Sequence, residues 1–278
     1  MRGYGSGYEG DNFYEPIGAE ELPTSSSVPS AAPGFYGFVT EDEPNPACNG
    51  AASADQPRSI DPSLLCPRVA SAGITDFTFS PGASPSNVNL PRNAGFAGGT
   101  YFYPADPMAL SSDVTGGDWH LSGTVAGVSG FGLYLNRCKE LDASGYAGIE
   151  FSLWGHIDAP GALFFFVGTA ANQVSDAWID QHKSNPSVAD EPPNVGRCIP
   201  IASRYDGTCR EARLKLPLTE TPTLVRASWQ DLTDGCPQGS VDAAEITSIA
   251  WYFPEAAAAA YGVDLHIDDL RFSVTLPP

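Results

Sequence analysis

From about residue 72 onward, short apolar or alternating segments follow one another, separated by Gly, Pro, Asn and Asp turns. The sharpest is GYAGIEFSLWGH, residues 145–156. Ile149, Phe151 and Leu153 alternate with Glu150, Ser152 and Trp154. A period of two belongs to a β-strand with one apolar face, because successive side chains point to opposite sides of a pleated backbone. VDLHIDDLRF repeats the pattern, with Val263, Leu265 and Ile267 on one parity and Asp264, His266 and Asp268 on the other. The candidate strands are 74–79, 99–103, 119–125, 130–136, 148–154, 163–168, 213–216, 223–228, 246–253 and 263–274. No long stretch has a period of 3.6. The alanines at 256–260 follow Pro254 and are ended by Gly262, which favours a turn or loop. Many short strands without intervening helices predict an all-β fold, an antiparallel β-sandwich, over residues 71–278.

Residues 1–70 differ in texture. They are rich in Gly, Pro, Ser, Ala and acids, and ELPTSSSVPSAAPG (21–34) reads as an extended linker. This predicts a mostly irregular N-terminal arm. Its aromatics, Tyr4, Tyr8, Phe13, Tyr14, Phe35, Tyr36 and Phe38, would let it dock as a strand on a sheet edge, its own or a neighbour's. The stretch 170–209 is a second excursion, too polar and proline-rich for core; such loops carry function or are pinned by a disulfide.

Charge narrows the partners. The 278 residues carry a formal charge of −19, and the only lysines are Lys139, Lys183 and Lys215. Such a surface repels phosphate backbones and anionic lipid heads, which argues against nucleic-acid and peripheral membrane binding. With 42% hydrophobic residues the chain has material for a core, yet no apolar run is long enough to span a bilayer as a helix.

Six cysteines occur: Cys48, Cys66, Cys138, Cys198, Cys209 and Cys236. The number is even, with no C-x-x-C and no zinc-finger spacing, so disulfides in an oxidising compartment are the simplest account. Cys198 with Cys209 would close a short polar loop, Cys48 with Cys66 would tie down part of the arm, and Cys138 with Cys236 would remain. The opening MRGYGSGYEGDNFYEP has no apolar signal-peptide core, so a secreted or cell-surface location is an expectation from cysteines and composition.

The segments ITDFTF, GGTYFYPADP, WHLSGTVAGVSGFGLYLN, LDASGYAGIEFSLWG, RASWQDL, ITSIAWYF and VDLHIDDLRF, with the cysteine pair, together resemble the galactose-binding-like jelly-roll domains of secreted bacterial proteins. These are similar to the carbohydrate-binding modules attached to cellulases and related enzymes. The resemblance covers residues 73–275. It implies an eight- to ten-stranded antiparallel jelly roll, a structural calcium between the first and last strands in many members, and glycan binding on a concave sheet face in some. Two positions depart from the pattern. Thr78 stands where Asp-Phe-Glu is usual, and Tyr101 and Tyr103 stand where tryptophan is common.

Calcium takes six to eight oxygens, which carboxylates and carbonyls supply, and Asp268 or Asp269 with Asp76 would form a nucleus. The four histidines, His120, His156, His182 and His266, form neither H-E-x-x-H nor H-x-H; a zinc or copper site would have to be assembled across strands, and His120 and His266, both on candidate strands, are the pair that could do so, with no spacing that supports it. No nucleophile elbow is present, and no spacing pairs two acids for glycoside hydrolysis. A non-catalytic chain is therefore expected.

Sugar binding needs flat aromatic faces and planar polar groups. Trp154, Glu150, Tyr134, Asn136, Tyr252 and His156 lie on the parity opposite the core or next to it, and Trp178 would add a rim. The pattern leaves open whether Trp154 is a platform or a packing residue. Trp119, Trp229 and Trp251 are assigned to packing. The expected function is non-catalytic extracellular binding of a polysaccharide. The alternative is a structural subunit of a filament, surface layer or adhesin, self-assembled through the N-terminal arm.

Overall fold

A computed structural model describes Val69 and residues 71–78, 100–102, 110–125, 129–135, 140–175, 196–199, 209–253 and 260–274. The N-terminal arm, Asn136, Cys48, Cys66, Cys138 and Trp178 lie outside the described residues. Among the described residues there are eleven strands: β1 (Gly73–Thr75), β2 (Thr100–Phe102), β3 (Leu110–Asp113), β4 (Trp119–Val125), β5 (Ser129–Tyr134), β6 (Gly148–Ile157), β7 (Phe164–Thr169), β8 (Ala212–Lys215), β9 (Thr223–Ser228), β10 (Ile246–Phe253) and β11 (Tyr261–Ser273). They form an all-β antiparallel sandwich of the jelly-roll type. One sheet runs β3-β4-β11-β6-β9, with β1 also pairing β11, and the other runs β2-β5-β10-β7-β8. Among the described residues no helix is long and apolar enough to cross a membrane.

The apolar parity of each strand meets in the space between the sheets. Trp119, Leu121, Ile149, Phe151, Leu153, Leu265 and Ile267 come from the first sheet; Phe131, Leu133, Phe165, Val167, Ile249, Trp251 and Phe253 come from the second. Trp251 is the hub, with ring centroids 5.1–6.0 Å apart along its chain of contacts: Phe151 at 5.2 Å, Phe131 at 5.4 Å and Trp119 at 6.0 Å, while Trp119 and Phe131 are 5.1 Å apart. Each such fully buried side chain stabilises the fold by about 1.5–3 kcal/mol relative to exposure. Trp119 and Trp251 are thus core residues, and Trp229 packs half-buried against Phe272 while its indole N–H donates to the Tyr146 carbonyl at 2.7 Å.

Several boundaries differ from the sequence expectation for physical reasons. β3 is new: it is a polar edge strand, LSSD, with little pattern to reveal it. β1 stops at Thr75 because Asp76 bends the chain, its carboxylate accepting the Thr78 N–H at 3.0 Å while Phe77 takes a φ of 51°. β6 runs three residues past Trp154. Gly155, with φ 129°, keeps the pairing intact where a Cβ would stand 2.1 Å from the Asp264 carbonyl oxygen.

The Cys198–Cys209 disulfide is present and packs with Val174 and Ile199. Cys236 is disulfide-bonded as well. The described ends of the 170–209 excursion attach near the second sheet: the Arg197 N–H donates to the Ala170 carbonyl at 2.8 Å, and Val174 bridges to Cys198.

Candidate functional site

The outer parity of β4, β11 and β6 meets across the first sheet. His266 is in register with His120 on one side and Trp154 on the other. The three rings form one row. His120 and His266 stack with centroids 4.3 Å apart and planes 1° from parallel; His266 and Trp154 stack at 5.0 Å and 4°. These spacings match the separation of neighbouring strands, so each ring stands upright on the sheet with its face against the next. The row therefore presents ring edges to solvent. At its ends the row borders Asp113 of β3 beyond His120 and residues 219–223 beyond Trp154. The indole N–H of Trp154 has no protein partner among the described residues.

Carboxylates surround the row. Asp264 Oδ1 lies 2.6 Å from His120 Nε2 and 3.8 Å from His266 Nε2. Asp118 Oδ2, from the turn before β4, lies 2.6 Å from His266 Nδ1. Among the described residues, His120, Asp264 and His266 bring three potential metal-ligand atoms within 4.8 Å of one another. Next along β6, His156 Nε2 is 2.9 Å from Asp158 Oδ1, and both side chains are largely exposed. Further along the face, Glu150 is clamped by Arg226 Nε at 3.2 Å and Arg271 Nε at 2.6 Å. The Ser111 and Ser122 hydroxyls are 2.9 Å apart at the β3 side.

The expected ligand residues therefore divide between two sheets. Trp154, Glu150 and His156 share the open face of the first sheet. Tyr134 and Tyr252 belong to β5 and β10 of the second sheet, where they are not neighbours of Trp154. Tyr252 is 1% exposed, stacks on Phe164 at 5.0 Å, and its hydroxyl accepts from Arg213 Nη1 at 2.5 Å. A platform joining Trp154 to these tyrosines is thus not assembled. The parity argument placed Tyr252 correctly away from the core of the sandwich, but the outer face of its sheet is covered.

Asp76, Asp268 and Asp269 lie where β1 meets β11. Burial raises the Asp268 carboxyl above its ordinary range, helped by the charges of Asp269, Asp118 and Asp76, while the Asp269 N–H, 2.7 Å from Asp268 Oδ1, opposes the shift. Asp76 is lowered by its hydrogen bonds to Thr78. These acids are near enough to feel one another, but they do not form a three-ligand group within 4.8 Å.

Sequence reasoning named His120 and His266 only as histidines able to pair across strands, and gave neither Asp264 nor Asp118 a place beside them. Asp264 and His266 were visible as outward residues of one strand. Their meeting with His120 depends on the β4–β11 register, which links positions 144 residues apart.

No protein-family model matches the chain, and no curated protein does. Among solved structures it is similar to the family 11 carbohydrate-binding module from Clostridium thermocellum in complex with a β-1,3-1,4-mixed-linked tetrasaccharide, at 12% identity and a TM-score of 0.39, over 74% of this chain and 97% of that one. It is similar to the family 11 module of the cellulosomal cellulase Lic26A-Cel5E of the same organism, at 13% identity and a TM-score of 0.39, over 75% of this chain and 99% of the other. An agarase, AgWH50C, is similar at 8% identity and a TM-score of 0.40, over 74% of this chain and 26% of its own.

Proposed function

We propose that the chain is a non-catalytic carbohydrate-binding protein acting outside the cell, and that it holds a polysaccharide along the open face of the first sheet. The observation that carries this reading is the upright row Trp154–His266–His120, bordered by polar groups on a face left exposed. The end face and free N–H of Trp154 suit the apolar C–H face and a hydroxyl of one sugar ring. The outer oxygen of Asp264 and the second ring nitrogen of His156, which their ion pairs with His120 and Asp158 do not use, offer hydrogen bonds to further hydroxyls along the strand direction. The rigid pairing of β4, β11 and β6 presents these groups with little left to order on binding. Binding rather than cleavage is favoured because the carboxylates flanking the row are already committed: Glu150 to two arginines, Asp118 to His266, Asp264 to His120 and Asp158 to His156.

The test is retention on a panel of polysaccharides by affinity electrophoresis. The parent chain should be retarded by at least one of them. Trp154→Ala should weaken that retention at least roughly tenfold, equivalent to about 1.4 kcal/mol, while the far-ultraviolet spectrum stays unchanged. Unaltered retention in Trp154→Ala, or a parent chain that no glycan retards, would refute the reading.

A further inference from the structure

We infer that His120, Asp264 and His266 form a binding site for a single transition-metal ion, zinc being the best fit, held on the outer face of β4 and β11. The inference does not rest on the carbohydrate reading.

The backbone supplies the first argument. Directly opposed residues of paired antiparallel strands bring their side chains close, and His120 opposes His266 in this way. Asp264 is two residues before His266 and so emerges on the same face. Two strands thus deliver two imidazoles and one carboxylate to one place. Zinc bonds to nitrogen and oxygen are 2.0–2.2 Å, so tetrahedral ligand atoms stand about 3.3 Å apart. The observed Asp264 separations of 2.6 Å to His120 and 3.8 Å to His266 bracket that value.

The stacked rings have near-parallel planes, so their lone pairs do not yet converge. Ligation requires the imidazoles to tilt out of the stack. Side-chain exposures of 35% for His120, 26% for His266 and 65% for Asp264 leave room for that rotation.

Asp118 supplies the second argument. A metal-bound histidine usually has its other ring nitrogen held by a carboxylate, which fixes the tautomer and aims the ligand. Asp118 Oδ2 lies 2.6 Å from His266 Nδ1, leaving Nε2 directed toward Asp264. A simple surface ion pair has no need of this second carboxylate.

The donor set selects the ion. Two imidazoles and one carboxylate suit zinc, copper or nickel, whereas calcium and magnesium prefer all-oxygen shells. Three protein ligands leave a coordination position open to solvent, where water or an outside oxygen would complete the shell.

Zinc chloride titrated into the chelator-stripped, tag-free full chain, in competition with a chromophoric chelator, tests the site. The expected result is one saturable equivalent with micromolar or tighter affinity. His120→Ala/His266→Ala should lose it, and Asp264→Asn should weaken it at least tenfold. Asp118→Asn should weaken it roughly 10- to 100-fold, as loss of an outer carboxylate partner does. If the double histidine variant does not fold, Asp264→Asn, which keeps the side-chain shape, decides the matter. The site is refuted if the parent binds no zinc in a saturable way up to roughly millimolar concentration. It is equally refuted if the folded double variant, or Asp264→Asn, binds as the parent does.

Discussion

The outer faces of the two sheets differ, although both sheets are antiparallel and both bury the other parity in one shared core. On the first sheet, β6 and β11 alternate between buried and exposed positions along much of their length. On the second, all six residues of β7 and all eight of β10 are buried. The first face is therefore where polar side chains and rings remain available. On the second, Arg213 and Lys215 lie over the Phe164 ring, at 5.2 and 5.8 Å, and aromatic residues are sealed in. An aromatic side chain pointing away from the sandwich interior is thus not the same as an accessible one. Tyr252 and Trp154 make the difference concrete.

The largest test of this contrast is stability. Tyr252→Ala removes a buried ring and should cost roughly 3–5 kcal/mol, as other buried aromatic truncations do. Trp154→Ala should cost about 1 kcal/mol or less, as expected for a half-exposed position. Equilibrium urea unfolding of the two variants checks both; equal losses would mean that the two faces are packed alike.

A second test concerns charge beneath the covered side. Glu211 precedes β8, and its carboxyl is pushed well above the ordinary value of 4.5, by burial first and by Glu245 as well, although the Thr169 N–H bond pulls it down. The folded chain then holds this proton to higher pH than the unfolded chain does. Stability contributed by the neutral form is therefore lost as pH rises from about the ordinary carboxylate value through the raised one. Glu211→Gln should flatten that part of the stability curve and leave the variant more stable than the parent at neutral pH. Thermal unfolding across pH 4 to 8, on the scale where carboxylates titrate, reads the change. A parent whose Glu211-dependent stability rises with pH would contradict the assignment.

The smallest effect belongs to the open face. Arg226 is 52% exposed where it meets Glu150, so Arg226→Ala should cost no more than about 0.5 kcal/mol, less in high salt. A loss above that would show that this corner is shielded from water.

Much of the contrast was readable along the chain. The alternation in residues 148–154 and 263–268 marks strands with one wet face, and the unbroken run Phe164, Phe165, Phe166, Val167 marks a strand buried on both. β4, β9 and β10 have the bounds the pattern predicts. β3 was not legible, because an edge strand paired on one side needs little apolar surface and shows little. The extension of β6 past Gly155 was hidden for another reason: a glycine reads as a turn unless its neighbour strand is known.

The site was less legible than the fold. Glu150, Trp154 and His156 could be placed on one face because they sit on one strand with one clear parity. His120 and His266, each on a recognised strand, could be named as a cross-strand pair, but nothing in the sequence joined Asp264 and Asp118 to them. Their distances depend on which strands pair and in what register, across separations of 144 and 148 residues.

The sequence alone determined the period-two strands, the inward parity and the residues able to form a core, because these follow from local backbone geometry and the exclusion of apolar surface from water. It also determined that Trp154 would project away from Leu153. Only the tertiary structure decided that Trp154 would stand beside His266 and not Tyr252, that one outer face would stay open, and that two histidines and an aspartate would converge. Side-chain parity is a property of one strand, whereas a shared site is a property of register between strands distant in the chain.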